Sequence, residues 1–91
     1  MITTIVLIRV DPSLIPTAAN MLAGVEGVTE VYSVSGDWDL VAIVRVPEYE
    51  RVAEVVTEEI ARIAGIERTY TLTAFRIYSR RDLEGAWDMF D

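Results

Sequence analysis

Val28-Thr29-Glu30-Val31-Tyr32-Ser33-Val34-Ser35-Gly36-Asp37-Trp38-Asp39-Leu40-Val41-Ala42-Ile43-Val44-Arg45-Val46 is the stretch on which the fold turns. Two runs rich in β-branched residues, Val28 to Ser35 and Leu40 to Val46, flank a glycine-bearing step, the pattern of an antiparallel hairpin. Gly36 stands at the first central position of a two-residue turn, Ser35-Gly36-Asp37-Trp38, where positive φ costs glycine nothing.

Working outward from the hairpin, Leu14, Ile15, Ala18, Met21 and Leu22 recur at three- and four-residue spacing and predict a helix. Ser13 caps it, Pro16 sits in its first turn where the missing N–H is harmless, and Gly24 stops it. Before it, Ile2 to Val10 reads as a strand ending at Asp11-Pro12. Beyond the hairpin, Pro47 opens a second helix with Glu48 and Glu50 near its positive end. Its apolar stripe is Val52, Val55, Val56, Ile60 and Ile63, Glu58 and Arg62 support it as an i, i+4 pair, and Gly65 ends it. Ile66 to Tyr78 is the last strand. Residues 1–79 thus form one domain. Residues 80–91 are a tail, read either as disordered or as a short helix started near Ser79 and Asp82. Such a helix would carry Leu83, Ala86, Trp87 and Phe90 on one face and dock on a neighbouring subunit.

The order β-α-β-β-α-β predicts an α+β, ferredoxin-like sandwich: a four-stranded antiparallel sheet with both helices on one face. The halves repeat. Ile8-Arg9-Val10 aligns with Val44-Arg45-Val46, and Glu30-Val31-Tyr32 aligns with Arg68-Thr69-Tyr70.

At 91 residues and 10.2 kDa the chain holds a single domain. Area scaling leaves roughly 5,300 Å² of surface on such a fold, so about 64% of the extended chain's surface is buried. Apolar residues make up 52% of the chain, more than so small an interior absorbs easily. The strands agree: Ile2, Val6, Ile8 and Val10 lie on one side of the first, and Ile5 and Leu7 on the other. The third strand repeats this with Leu40, Ala42, Val44 and Val46 against Val41 and Ile43. A sheet covered on one face alternates apolar and polar residues, and these strands do not. The second face is therefore expected to pair with that of another copy. Burying about 800 Å² per subunit, roughly 60% apolar, gains about 12 kcal/mol from each subunit before association costs.

Fifteen acidic residues against eight basic ones, all of them Arg, give a net charge of −7. Such a chain lacks the basic stripe that nucleic-acid binding needs. Without Cys or His there is no disulfide, thiolate or imidazole chemistry and no ordinary zinc or haem site, so neither cofactor nor metal is expected. No secretory signal is legible and no apolar run approaches the roughly 20 residues of a membrane span, which reads as a cytoplasmic protein.

Val31 to Leu40, with Arg68, Thr69 and Thr71 on the last strand, resembles the effector-binding (RAM) domain of the Lrp/AsnC feast/famine regulators. The pattern is a V-x-G-D-[YW]-D-L hairpin followed by a strand with alternate threonines, and the resemblance covers residues 1 to about 79. It implies a dimer, built into a ring of dimers such as an octamer, that binds a small amino-acid effector at subunit interfaces. The chain begins at the first strand of that domain, without the helix-turn-helix of typical members, so regulation would act through a DNA-binding relative. The implied ligand-binding residues are Gly36, Asp37, Trp38, Asp39, Thr69 and Thr71.

The residues support that chemistry independently, since exposed backbone N–H groups at a tight turn hold a carboxylate and Asp37 and Asp39 accept from an ammonium. Each also has a plainer explanation: Gly36 as a turn residue, Asp39 as a local cap, the threonines as strand filler, Arg9 and Arg45 as solvated or paired strand-end charges. Two carboxylates alone do not make a metal site. Two alternatives share this fold. One is a small cofactor-independent oxygenase or isomerase, for which the chain offers no His, Cys or Lys as base or nucleophile. The other is an ACT-type regulatory domain, whose usual glycine after the first strand is replaced by Asp11-Pro12-Ser13.

Overall fold

The computed structural model describes residues 1–80; the expected tail helix, with Trp87 and Phe90, lies outside the described residues. The strands are β1 (Ile2–Val10), β2 (Val28–Ser33), β3 (Leu40–Val46) and β4 (Ile66–Thr73), with helix α1 (Ile15–Ala23) after β1 and α2, which begins at Tyr49–Ala53, after β3. All pairings are antiparallel, in the order β2-β3-β1-β4. The ferredoxin-like α+β sandwich is the observed fold.

Residue parity builds the core. Val6, Ile8 and Val10 of β1 and Leu40, Ala42, Val44 and Val46 of β3 are buried with Ala18 and Leu22 of α1 and Val52, Val55 and Ile60 from the α2 segment. The alternate residues Ile5, Leu7, Val41 and Ile43 face away from the helices and are only half-buried. At the rim of this open face Tyr32, Tyr70 and Leu72 are exposed. The two-sided apolar character read from the strands is therefore present in three dimensions.

Several boundaries differ from the sequence reading. A 3₁₀ turn, Pro12–Leu14, precedes α1, and its cap is Asp11, whose carboxylate accepts from the Ser13 backbone N–H and hydroxyl. Ser13 is thus a donor to the cap and not the cap. Helix α2 continues as π-type turns over Glu54–Ile60, with the Ala61 N–H donating to the Val56 carbonyl five residues back. Wide turns bring Val55 and Ile60, five apart, onto one buried face. They also end the helix before Arg62, so the expected Glu58–Arg62 pair does not form; Arg51–Glu54 is the ion pair on this helix.

β4 stops at Thr73, not Tyr78. Thr73 pairs with Thr4 and the Ala74 N–H reaches the Thr3 carbonyl at 2.9 Å, after which β1 has almost run out. Phe75, Ile77 and Tyr78 follow fully or largely exposed. The repeat holds at Gly27 and Gly65, with φ of 99° and 94°, whose carbonyls accept from Arg45 and Asp11 respectively, each at 2.8 Å. By that pairing Arg45 corresponds to Asp11, so the partner strands are offset by one pleat from the alignment of Arg9 with Arg45.

Candidate functional site

The β2–β3 connection is held at its base by the Val34 N–H donating to the Asp39 carbonyl at 3.0 Å. That leaves Ser35 to Trp38 as a four-residue loop, wider than the expected two-residue turn. Gly36 has φ 106° and nothing within 4 Å of where a Cβ would stand, so the tip is open. Asp39 ties the loop to β1: its N–H donates to the Ile8 carbonyl at 3.0 Å and its Oδ2 accepts from the Val10 N–H at 2.8 Å. The local-cap explanation of Asp39 is thus realised. The Asp37 carbonyl accepts from Nε of Arg9 at 3.1 Å and from a second nitrogen of the same guanidinium, while its carboxylate makes no hydrogen bond or ion pair among the described residues.

Trp38 is half-buried between arginines. The Arg9 and Arg68 guanidinium carbons lie 5.9 Å and 5.7 Å from its ring centroid, within cation–π range, and the Tyr70 ring stands 6.2 Å away at 43°. Arg9 and Arg68 are direct cross-strand partners on β1 and β4, on the open sheet face with Leu7 and Tyr70. Sequence reading passed over this cluster. The available signal was parity: Arg68, Tyr70 and Leu72 alternate with Thr69 and Thr71.

That parity separates the candidate residues. Thr69 pairs with Ile8 and Thr71 with Val6, so both point to the helix side. Thr71 borders a recess of about 210 Å³ with Tyr49, Val52, Ala53, Val56 and Thr57. Within one copy, Gly36, Asp37, Trp38 and Asp39 come together and the two threonines stand on the opposite face. On the β2 side, Glu30 accepts from the Tyr32 hydroxyl and lies 3.6 Å from Arg45, an arrangement that raises the Tyr32 pKa, first through the hydrogen bond and then through the carboxylate's charge. Among the described residues no group of three or more acidic side chains is placed to hold a metal, and no helix is long and apolar enough to cross a membrane.

Comparison with known proteins agrees with the hairpin. The Lrp/AsnC ligand binding domain model matches residues 3–83. A curated relative, an uncharacterised HTH-type transcriptional regulator of Pyrococcus furiosus, is 38% identical over 76 residues, 80% of this chain and 51% of the relative. The chain thus spans about half the length of that regulator. Among solved structures, TTHA0845 from Thermus thermophilus superposes with a TM-score of 0.83 at 46% identity, covering 88% of this chain and all of that one. The Neisseria meningitidis transcriptional regulator NMB0573, solved as an L-Met complex, shares the fold at TM-score 0.78 and 7% identity, over 87% of this chain and 53% of that one. With a matching model that runs from the start of β1 past the end of β4 and spans the Gly36-Asp37-Trp38-Asp39 loop, the ACT alternative falls away, and this chain belongs to the Lrp/AsnC ligand-binding domain family.

Proposed function

We propose that this chain is the amino-acid-sensing part of a cytoplasmic, non-catalytic regulator. Copies meet through their open sheet faces, dimers join into a ring such as an octamer, and a small amino acid binds at the seams between copies. The Gly36-Asp37-Trp38-Asp39 loop supplies contacts from one copy, and Thr69 and Thr71, facing the other way, supply them from a neighbour. The signal reaches transcription through a DNA-binding partner of the same family.

The observation that carries this reading is the unused polar tip of the loop at the rim of an uncovered apolar face. Gly36 is open and the Asp37 carboxylate is unpaired among the described residues, on a loop at the end of the sheet whose open face carries half-buried Ile5, Leu7, Val41 and Ile43. An ammonium is the natural partner for that carboxylate. The L-Met complex of the meningococcal regulator lends support from a protein of the same fold.

A thermal-shift screen of the twenty amino acids, read beside sizing chromatography, tests the proposal. A ligand at a hundred times its Kd stabilises by about 2.7 kcal/mol, several degrees in Tm for a domain this size. At least one amino acid should raise Tm, and Asp37→Ala should abolish that rise. No shift with any of the twenty refutes the sensing role.

A further inference from the structure

The β2 and β4 edges are related by the internal repeat, and their differences are informative. In β2, Glu30 is held between the Tyr32 hydroxyl and the Arg45 guanidinium. The matching position in β4 is Arg68, with Tyr70 matching Tyr32. There the tyrosine remains and the carboxylate has been replaced by a cation. Arg68 also stands directly across from Arg9, and like charges in that position repel. Fifteen acidic residues are present in the chain, yet neither arginine has a carboxylate within ion-pair distance among the described residues, and the Tyr70 hydroxyl has no hydrogen bond there.

Arg9 spends two of its nitrogens on the Asp37 carbonyl. Among the described residues Arg68 is held over Trp38 by the ring's face and keeps its five N–H donors. We infer that Arg68, with Arg9 and Tyr70 around Trp38, forms a carboxylate-binding site that takes the carboxylate of the amino-acid effector. The inference rests on the sensing role proposed above and adds a polarity to it: the ligand's carboxylate lies on the open sheet face at Arg68, with the unpaired Asp37 carboxylate on the adjoining loop left for the ammonium. An ion received at this place does for β4 what Glu30 does for β2. It neutralises a guanidinium and accepts from a tyrosine hydroxyl.

The test uses the full chain carrying Trp87→Phe, which leaves Trp38 as the remaining tryptophan of two. Its fluorescence is titrated with each of the twenty L-amino acids, with the decarboxylated amine of each binder, and with acetate. Loss of a hydrogen bond to a charged group weakens binding roughly 10- to 100-fold. Arg68→Gln should lose that much affinity for the amino acid, Arg68→Lys should lose less, and the amine should bind the parent and Arg68→Gln equally weakly. An amino acid that binds Arg68→Gln as tightly as the parent overturns the carboxylate site and leaves the sensing role standing. Silence from all twenty, with acetate still perturbing Trp38 in an Arg68-dependent way, upholds the site and removes the sensing role. Silence from acetate as well overturns both. A further arm neutralises the tail in the full chain, with Asp82→Asn, Glu84→Gln, Asp88→Asn and Asp91→Asn. Unchanged affinities support a small-molecule carboxylate, and ligand binding that appears only after neutralisation assigns the site to the tail and overturns the effector assignment.

Discussion

Gly65→Ala should be among the most damaging single-methyl additions to this chain. Gly65 follows the end of the α2 segment with φ 94°, and its carbonyl receives the Asp11 N–H. An alanine Cβ there would stand 2.8 Å from Leu14 Cβ and 2.9 Å from Leu14 Cδ1. The first neighbour cannot rotate away, because a Cβ moves only with its backbone. Positive φ costs an L-residue about 1–2 kcal/mol, and overpacking of this kind about 1–3 kcal/mol, giving roughly 2–5 kcal/mol together. Gly36→Ala isolates the first cost, since its φ is 106° and its Cβ would meet nothing within 4 Å. Gly24→Ala removes both costs: its φ is −87° and its nearest contact is the Met21 carbonyl oxygen at 3.5 Å, so it should be neutral or stabilising by up to about 1 kcal/mol. Urea denaturation at one fixed protein concentration should rank the stabilities Gly24→Ala, then Gly36→Ala, then Gly65→Ala, the last with Tm lowered by roughly 10 °C or more. If Gly65→Ala is no more costly than Gly36→Ala, the packing of Leu14 against this turn is not as described and the reasoning fails.

Asp39→Ala strands the half-buried Val10 N–H and should cost about 1–3 kcal/mol in urea denaturation, with Asp39→Asn, which keeps an oxygen acceptor, losing less. Thr4 is fully buried and its Oγ1 has no hydrogen-bond partner among the described residues, so Thr4→Val should raise stability by about 1 kcal/mol, seen as a higher Tm. Tyr32 has its pKa raised by Glu30, so the hydrogen bond contributes stability below the ordinary tyrosine pKa of about 10 and loses it as pH climbs through the folded value. Absorbance at 295 nm should therefore show one tyrosine ionising later than the rest, a lag that Glu30→Ala removes and that Glu30→Gln, which keeps an oxygen acceptor but loses the charge, only shortens.

Where a residue's fate depended on its own alternation, it was legible in the sequence. β1 and β3 have the bounds their β-branched runs imply, and the apolar second face of Ile5, Leu7, Val41 and Ile43 follows from parity alone. Where it depended on a distant partner, the sequence was silent. Ala74 to Tyr78 continues a strand-like run, but a strand needs a neighbour, and beyond the Thr4–Thr73 pair only Ile2 and Thr3 of β1 remain. The π-type turns of α2 are set by which residues fit under the helix, so Val55 and Ile60 could be assigned to a stripe without revealing its pitch.

The site divides in the same way. The Gly36-Asp37-Trp38-Asp39 motif marked the loop, but its four-residue width comes from the Val34–Asp39 hydrogen bond, and Asp39 proved to serve β1. Thr69 and Thr71 were read together with the loop although their parity sets them on the other face from Arg68 and Tyr70. Arg9 acquires its position over Trp38 only because β1 lies between β3 and β4, a fact of topology and not of local pattern.

Sedimentation velocity on the full chain, diluted from tens of micromolar to below one micromolar, tests the pairing of open sheet faces most directly. The smallest species should be at least twice 10.2 kDa throughout, and Leu7→Glu, which sets a charge in the middle of that face, should dissociate it. A soluble, folded 10.2 kDa particle across the whole range would contradict it.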